Sequence, residues 1–235
     1  MNILDWVVLI IIAYTTLNGI YRGFIHSGLS LVSFFLSWFC AAIFAPATSR
    51  AFLKHDFLYP FVYNYTEGSE WLTNFENSKL LVSNIPADEI QQIITDSNLP
   101  APFASLMRHN ITNQVFSGNQ IYTLGDYYNY TISNVCINIL SFFIVFFLAK
   151  IVFNFINNSM NYTLEYPMLK RYDGLTGGVF GFFNGIFITY AVFILIPLML
   201  IVQPVQELYD IVYQSFIAKF FYTTNFILNF IRGVV

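Results

Sequence analysis

Charge is what this chain has least of. Of its 235 residues only 10% are Asp, Glu, Lys or Arg, against about 25% in soluble domains. A soluble chain of this size covers itself with polar groups, and this one lacks the residues to do so. Basic excess is missing too. Ten Lys and Arg against 13 Asp and Glu give a net charge of −3, which leaves no basic stripe for phosphates, so no nucleic-acid partner is expected. Cysteine is scarce. Cys40 and Cys136 sit at similar depth in their spans and read as buried free thiols, with a disulfide between them as the alternative. His26, His55 and His109 stand apart without ligand spacing, so no metal site is expected. There is no Walker loop, no Gly-x-Ser-x-Gly elbow and no His-Glu-x-x-His helix, hence no catalytic residue, no cofactor and no enzyme on this reading.

What the chain has instead is apolar and aromatic residues, 57% and 20% of the total, with a mean hydropathy of +0.60. The surface that lacks charge is expected to face a lipid bilayer. A hydrocarbon core about 30 Å thick asks a helix for roughly 20 apolar residues. Four runs qualify: Ile3 to Ile20, interrupted only by Asp5; Phe24 to Ala45; Ile132 to Ala149; and Gly174 to Gln203. The fold class expected is therefore all-α, an integral membrane protein with four transmembrane helices. Pro46 and Pro204 are expected to end the second and fourth spans, and tilt, a kink at Pro197 or an interfacial first turn is expected to absorb the excess length of the last run. The third run extends to Ile156 if Lys150 snorkels to the interface. The first run lacks a basic region before it and a small-x-small site after it, so it reads as a retained helix.

These boundaries divide the chain into a first transmembrane hairpin (1–45), a long segment (46–131), a second transmembrane hairpin (132–203) and a C-terminal stretch (204–235). The 86-residue segment is too long for a bare loop. Pro86 before Asp88 and Glu89 predicts a helix running to about Ser97, and 103–116 predicts a second, so the segment reads as a helical cap, with a ligand-binding ectodomain as the alternative. In the C-terminal stretch Tyr209, Tyr213, Phe216, Ile217, Phe220, Ile227 and Ile231 recur at helical spacing and predict one amphipathic helix.

Orientation follows from cations near the ends of the spans. Arg22, Lys150, Lys170 and Arg171 lie on one side, and Arg50, Lys54 and Lys219 on the other. The balance places the two short connections in the cytoplasm, with both termini and the 46–131 segment outside.

Within the fourth run Gly177, Gly181 and Gly185 repeat every fourth residue. That spacing makes a bare stripe against which a helix backbone can close. Packing inside the monomer is the plainer reading; contact between copies or a gating helix are the others. Ser30, Ser33, Ser37 and Ala41 form a small stripe on the second run and make it the expected partner. Asp173 precedes the glycines, where it reads as a helix cap or as a partner for Arg22. Asp5 reads as complementing the start of the first helix. Few ionisable groups lie deeper, which argues against a proton relay.

Leu4-Asp5 opening a span, Arg22-Gly23-Phe24 in the turn and Leu29-Ser30-Leu31-Val32 in the next helix resemble the CvpA, or colicin V production, family. Asp173 followed by Gly177, Gly181 and Gly185 is similar to that family's second block, and the two blocks stand in the expected order. Ser27 departs from a Glu common in members and Asn184 from an Arg. The resemblance implies a bacterial cytoplasmic-membrane protein with a role in toxin production or export and envelope homeostasis. That role would be non-enzymatic and exercised through assembly with itself or other membrane proteins. A channel or small-solute transporter is the alternative. Asp5, Arg22, Gly23, Phe24, Ser30, Asp173, Gly177, Gly181 and Gly185 are the residues the motifs single out.

Overall fold

The computed structural model describes residues 2–119, 121–159, 167–202 and 206–231. They form nine α-helices and carry no β-strand beyond one isolated bridge between Leu81 and Thr123. The helices are α1 (Ile3–Leu53), α2 (Leu58–Thr66), α3 (Ala87–Asp96), α4 (Phe103–Thr112), α5 (Leu124–Ser159), α6 (Pro167–Phe193), α7 (Leu195–Val202), α8 (Gln206–Gln214) and α9 (Phe216–Thr223). Among the described residues three stretches are long and apolar enough to cross a membrane: Ile3–Leu53, Leu124–Ser159 and Tyr172–Ile201. The first contains both N-terminal apolar runs. It is broken at Gly23, whose φ of 82° and ψ of 179° leave the helical region and lie where a Cβ is strained.

The chain folds as two compact units, 1–44 with 142–196 and 205–227, and 45–141 with 197–204 and 228–235. In the first unit the two arms of α1 pack on α6 in opposite senses. Along arm 3–22, Gly19 meets Gly177, Thr15 meets Gly181 and Ile12 meets Gly185, one number rising as the other falls. Along the arm beyond Gly23, the Phe24 ring meets Phe180 at 5.2 Å and Phe35 meets Phe187 at 5.1 Å, both numbers rising. The chain has reversed at one residue. The second arm also packs antiparallel to α5, with Asn157 bonded to the His26 carbonyl and Phe34 against Phe146 at 5.2 Å.

Several expected boundaries move. Pro46 does not end a helix: α1 runs through it to Leu53. A proline removes one backbone donor, a loss that a long helix held by its neighbours tolerates. The fourth run breaks at Ile194, between α6 and α7, as the Pro197 ring clashes with the carbonyl four residues earlier. The expected stop at Pro204 lies outside the described residues, as do 232–235. Instead of one amphipathic helix, the C-terminal stretch contains α8, α9 and a 3-10 turn at Phe226–Phe230. Ser215 makes the break. Its backbone is extended and its hydroxyl accepts from the Ala218 N–H, capping α9 and satisfying a donor that the helix start leaves free. The α9 ring of Phe221 then packs on Tyr190 at 4.8 Å and on Phe193.

In the second unit α3 starts just after Pro86 with Asp88 and Glu89 in its first turn, and buries Ile90 and Ile94. Helix α4 buries Phe103, Met107 and Ile111. Each such side chain withdrawn from water stabilises by about 1.5–3 kcal/mol. Polar pins hold these pieces to the start of α5: Asn110 donates to Thr131 at 3.1 Å, and the Ser69 N–H donates to Asn129 at 2.8 Å. Gly68 is required at its position, because a Cβ there would lie 2.7 Å from the Tyr128 carbonyl oxygen.

Candidate functional site

The motif residues of the first unit meet along α6. Gly177 and Gly181 accept arm 3–22 so closely that a Cβ on either would overlap a backbone carbonyl oxygen, of Gly19 and Thr15 respectively. Gly185 would collide with the Thr15 hydroxyl. The glycine stripe is thus filled by the first arm of α1, through Gly19, Thr15 and Ile12, rather than by the serine stripe of the second arm. A stripe of four-residue spacing is visible in sequence. Its partner presents Gly19 and Gly23 at the contact, also four residues apart, a shorter signal of the same kind at the end of the first run.

At the reversal, the Asp173 carboxylate accepts the Phe24 N–H at 2.7 Å. The same carboxylate occupies the space a Cβ on Gly23 would need. Asp173 therefore caps the second arm of α1, a helix remote in sequence. It does not cap α6, which starts at Pro167, six residues earlier. Arg22 is not its partner either. The guanidinium bonds to His26 Nε2 at 2.7 Å and to Asn158 at 2.6 Å, and among the described residues the ion pair present is Lys79 with Glu76.

Asp5 does a parallel job at the other end of the arm. It is 2% exposed and accepts from the Asn2 N–H, the Ser215 hydroxyl and the Ile217 N–H. One carboxylate thus serves the start of α1 and the start of α9. The sequence reading supplied only the first half of this, because the second partner lies more than 200 residues away.

Ser30 belongs to a third constellation. The Lys150 ammonium, expected at the interface, is instead buried, with 6% exposure. It donates to the Ser30 carbonyl at 2.7 Å and to the Ser33 hydroxyl at 2.8 Å. Asn184 donates to the Ser30 hydroxyl at 3.1 Å. Ser30, Lys150 and Asn184 wall a cavity of about 230 Å³, also lined by Arg22, His26, Asn154, Asn157 and Asn158. Arg22 and Asn158 are exposed, whereas Lys150, Asn157 and Asn184 are buried. In sequence, Asn154, Asn157 and Asn158 stand at helical spacing from Lys150, while Asn184 lies in the fourth run.

Cys40 and Cys136 are free thiols. Among the described residues no three His, Cys, Asp or Glu side chains are grouped to hold a metal ion.

No match was found among curated proteins or among solved structures. A family model described as Colicin V production protein matches residues 4–75 and 101–225. Those stretches contain the reversal at Gly23, both carboxylate caps, the glycine contact and every residue of the cavity; only 76–100, with α3, falls in the gap between them. The arrangement is therefore that of a membrane protein associated with colicin production, and the chain belongs to the colicin V production protein family.

Proposed function

We propose that the chain supports production or export of a colicin-type toxin, and the homeostasis of the envelope it sits in, without catalysing a reaction. It does so as a four-span protein of the bacterial cytoplasmic membrane that assembles with itself or other membrane proteins. The observation carrying this reading is the family match over most of the chain. The reversal at Gly23 supports four crossings, since each arm of α1 holds an uncharged run near the length a bilayer needs. Arg22, Lys170 and Arg171 at the two short connections, together with the tolerance of long segments for translocation, support an outward 46–131 segment and outward termini. The glycine stripe is filled within the chain, so any assembly surface lies elsewhere, among the exposed apolar side chains such as Trp6, Ile10, Phe39 and Phe155. These equally suit lipid.

The test is genetic. In a toxin-producing strain, loss of this chain should lower secreted toxin without lowering its synthesis, and the intact chain should restore secretion. Unchanged secretion in the deletion strain rejects the reading. A second reading, a channel or small-solute transporter, is favoured by one observation, the polar cavity around Lys150, since such proteins place polar groups within the membrane facing a cavity. Solute flux in proteoliposomes would separate it from the first.

A further inference from the structure

The cavity walled by α1, α5 and α6 has a charge imbalance. Among its described lining residues are two basic side chains, Arg22 and Lys150, together with His26, five asparagines and no carboxylate. Lys150 has used two of its three N–H donors, on Ser30 and Ser33, and neither acceptor carries charge. A buried ammonium without a counter-ion is costly, and an ionisable group inside a membrane helix marks a ligand or ion site by default. Hydrogen-bond capacity of the opposite sign is also unused. The Oδ1 atoms of Asn157 and Asn184 are buried without a partner, and the two residues are only 6% and 8% exposed.

We propose that this cavity binds a phosphate group that carries at least one hydroxyl donor. The phosphate oxygens answer the cations, and the hydroxyl answers the orphaned asparagine oxygens. A carboxylate meets the first demand and not the second. The volume, about 230 Å³, lies below the range typical of pockets for drug-sized ligands and suits a small polar group. Arg22 stands at the exposed end, beside Asn158. Lys150 lies eight residues from Asn158 along α5, about 12 Å deeper at the helical rise. A phosphate entering past Arg22 thus moves from a solvated fork to a buried point charge, the arrangement in which charge-assisted hydrogen bonds are strongest.

Two sources offer this chemistry: free hydrogen phosphate, and the glycerol-phosphate headgroup of an anionic lipid. The inference is independent of the assembly reading, because it is tested by binding alone. Full-length protein in a neutral detergent is titrated calorimetrically with inorganic phosphate and with acetate. The same preparation is mixed with phosphatidylglycerol or phosphatidylcholine and observed by native mass spectrometry. Expected is binding of phosphate or of phosphatidylglycerol, with acetate and phosphatidylcholine at least about tenfold weaker. Lys150→Met should weaken it at least tenfold. Should that variant not fold, Arg22→Gln, altered at an exposed position, should still weaken it severalfold. Phosphate binding without lipid identifies a soluble ligand, and binding of phosphatidylglycerol alone identifies a headgroup. Absence of both, acetate or phosphatidylcholine binding equally well, or equal binding by the wild type and the folded variants, overturns the proposal.

Discussion

Asp173 on α6 caps Phe24 on α1, 149 residues away. The bond satisfies the first free donor of a new helix at the point where the chain turns back, and it does so beside a glycine that admits no side chain. Asp173→Ala should cost about 0.5–2 kcal/mol, the usual loss for a removed N-terminal cap. Asp173→Asn retains an acceptor and should lose less. Urea or thermal unfolding in one detergent, comparing the two variants, checks the order. Equal losses would mean that the carboxylate acts by charge alone.

Gly181→Leu should not yield folded protein. The Thr15 carbonyl leaves no room for a Cβ, and in lipid no hydrophobic force offsets lost backbone contact. Gly174→Ala places its methyl 3.3 Å from the Ile20 carbonyl oxygen, a contact that a small shift relieves. Gly28→Ala meets nothing within 4 Å and should be silent. Monodisperse yield after size-exclusion chromatography reads all three. A folded Gly181→Leu would show that the stripe is not closed against α1.

Removing the Asp5 carboxylate should loosen α9 before it loosens α6. In Asp5→Ala the Ile217 N–H and the Ser215 hydroxyl lose their shared acceptor. Hydrogen exchange should therefore rise over 215–223 while 177–189 stays protected. Uniform exchange across both stretches would instead indicate global destabilisation.

In the second unit the Glu70 carboxyl is held above its ordinary range by a hydrogen bond with Glu67 and by its charge. A raised value means the folded chain holds the proton more tightly. The contribution of Glu70 to stability is thus present at low pH and is lost as pH rises through its folded value. Glu67→Gln should return Glu70 to the usual range in an NMR titration; an unmoved titration rules out the pairing.

Cysteines at Ser83 and Gln91, both exposed, in a chain lacking Cys40 and Cys136 should react with a membrane-impermeant thiol reagent in intact cells. One at Ser159, also exposed, should not. Reaction at Ser159 alone would invert the proposed orientation.

How much of this is legible without coordinates depends on whether a feature is local. The stripe Gly177, Gly181, Gly185 can be read because four-residue spacing puts the three on one face whatever the partner is. The apolar runs and the short helices after Pro86 and from Phe103 are local in the same sense. The roles of Asp5 and Asp173 are not, since each carboxylate bonds a helix start far along the chain, and the nearest helix start explains only part of one and none of the other. Lys150 was misread for a related reason. It ends an uncharged run, so it looks like an interfacial cation, and the serines that hold it read equally well as small packing residues. Pro46 misleads by the opposite route, a strong local rule that a long, well-supported helix overrides.

The bond partners of Lys150 are also ordered in time. Ser30 and Ser33 precede it by 120 and 117 residues, and chains emerge from the ribosome amino terminus first. A lysine carried into the membrane is costly to insert when it must face lipid. Here the acceptors are synthesised well before the charge that needs them. The helix carrying Lys150 can therefore be released from the insertion machinery against a surface already waiting, and a chain permuted to make α5 first would have to insert that charge unaided.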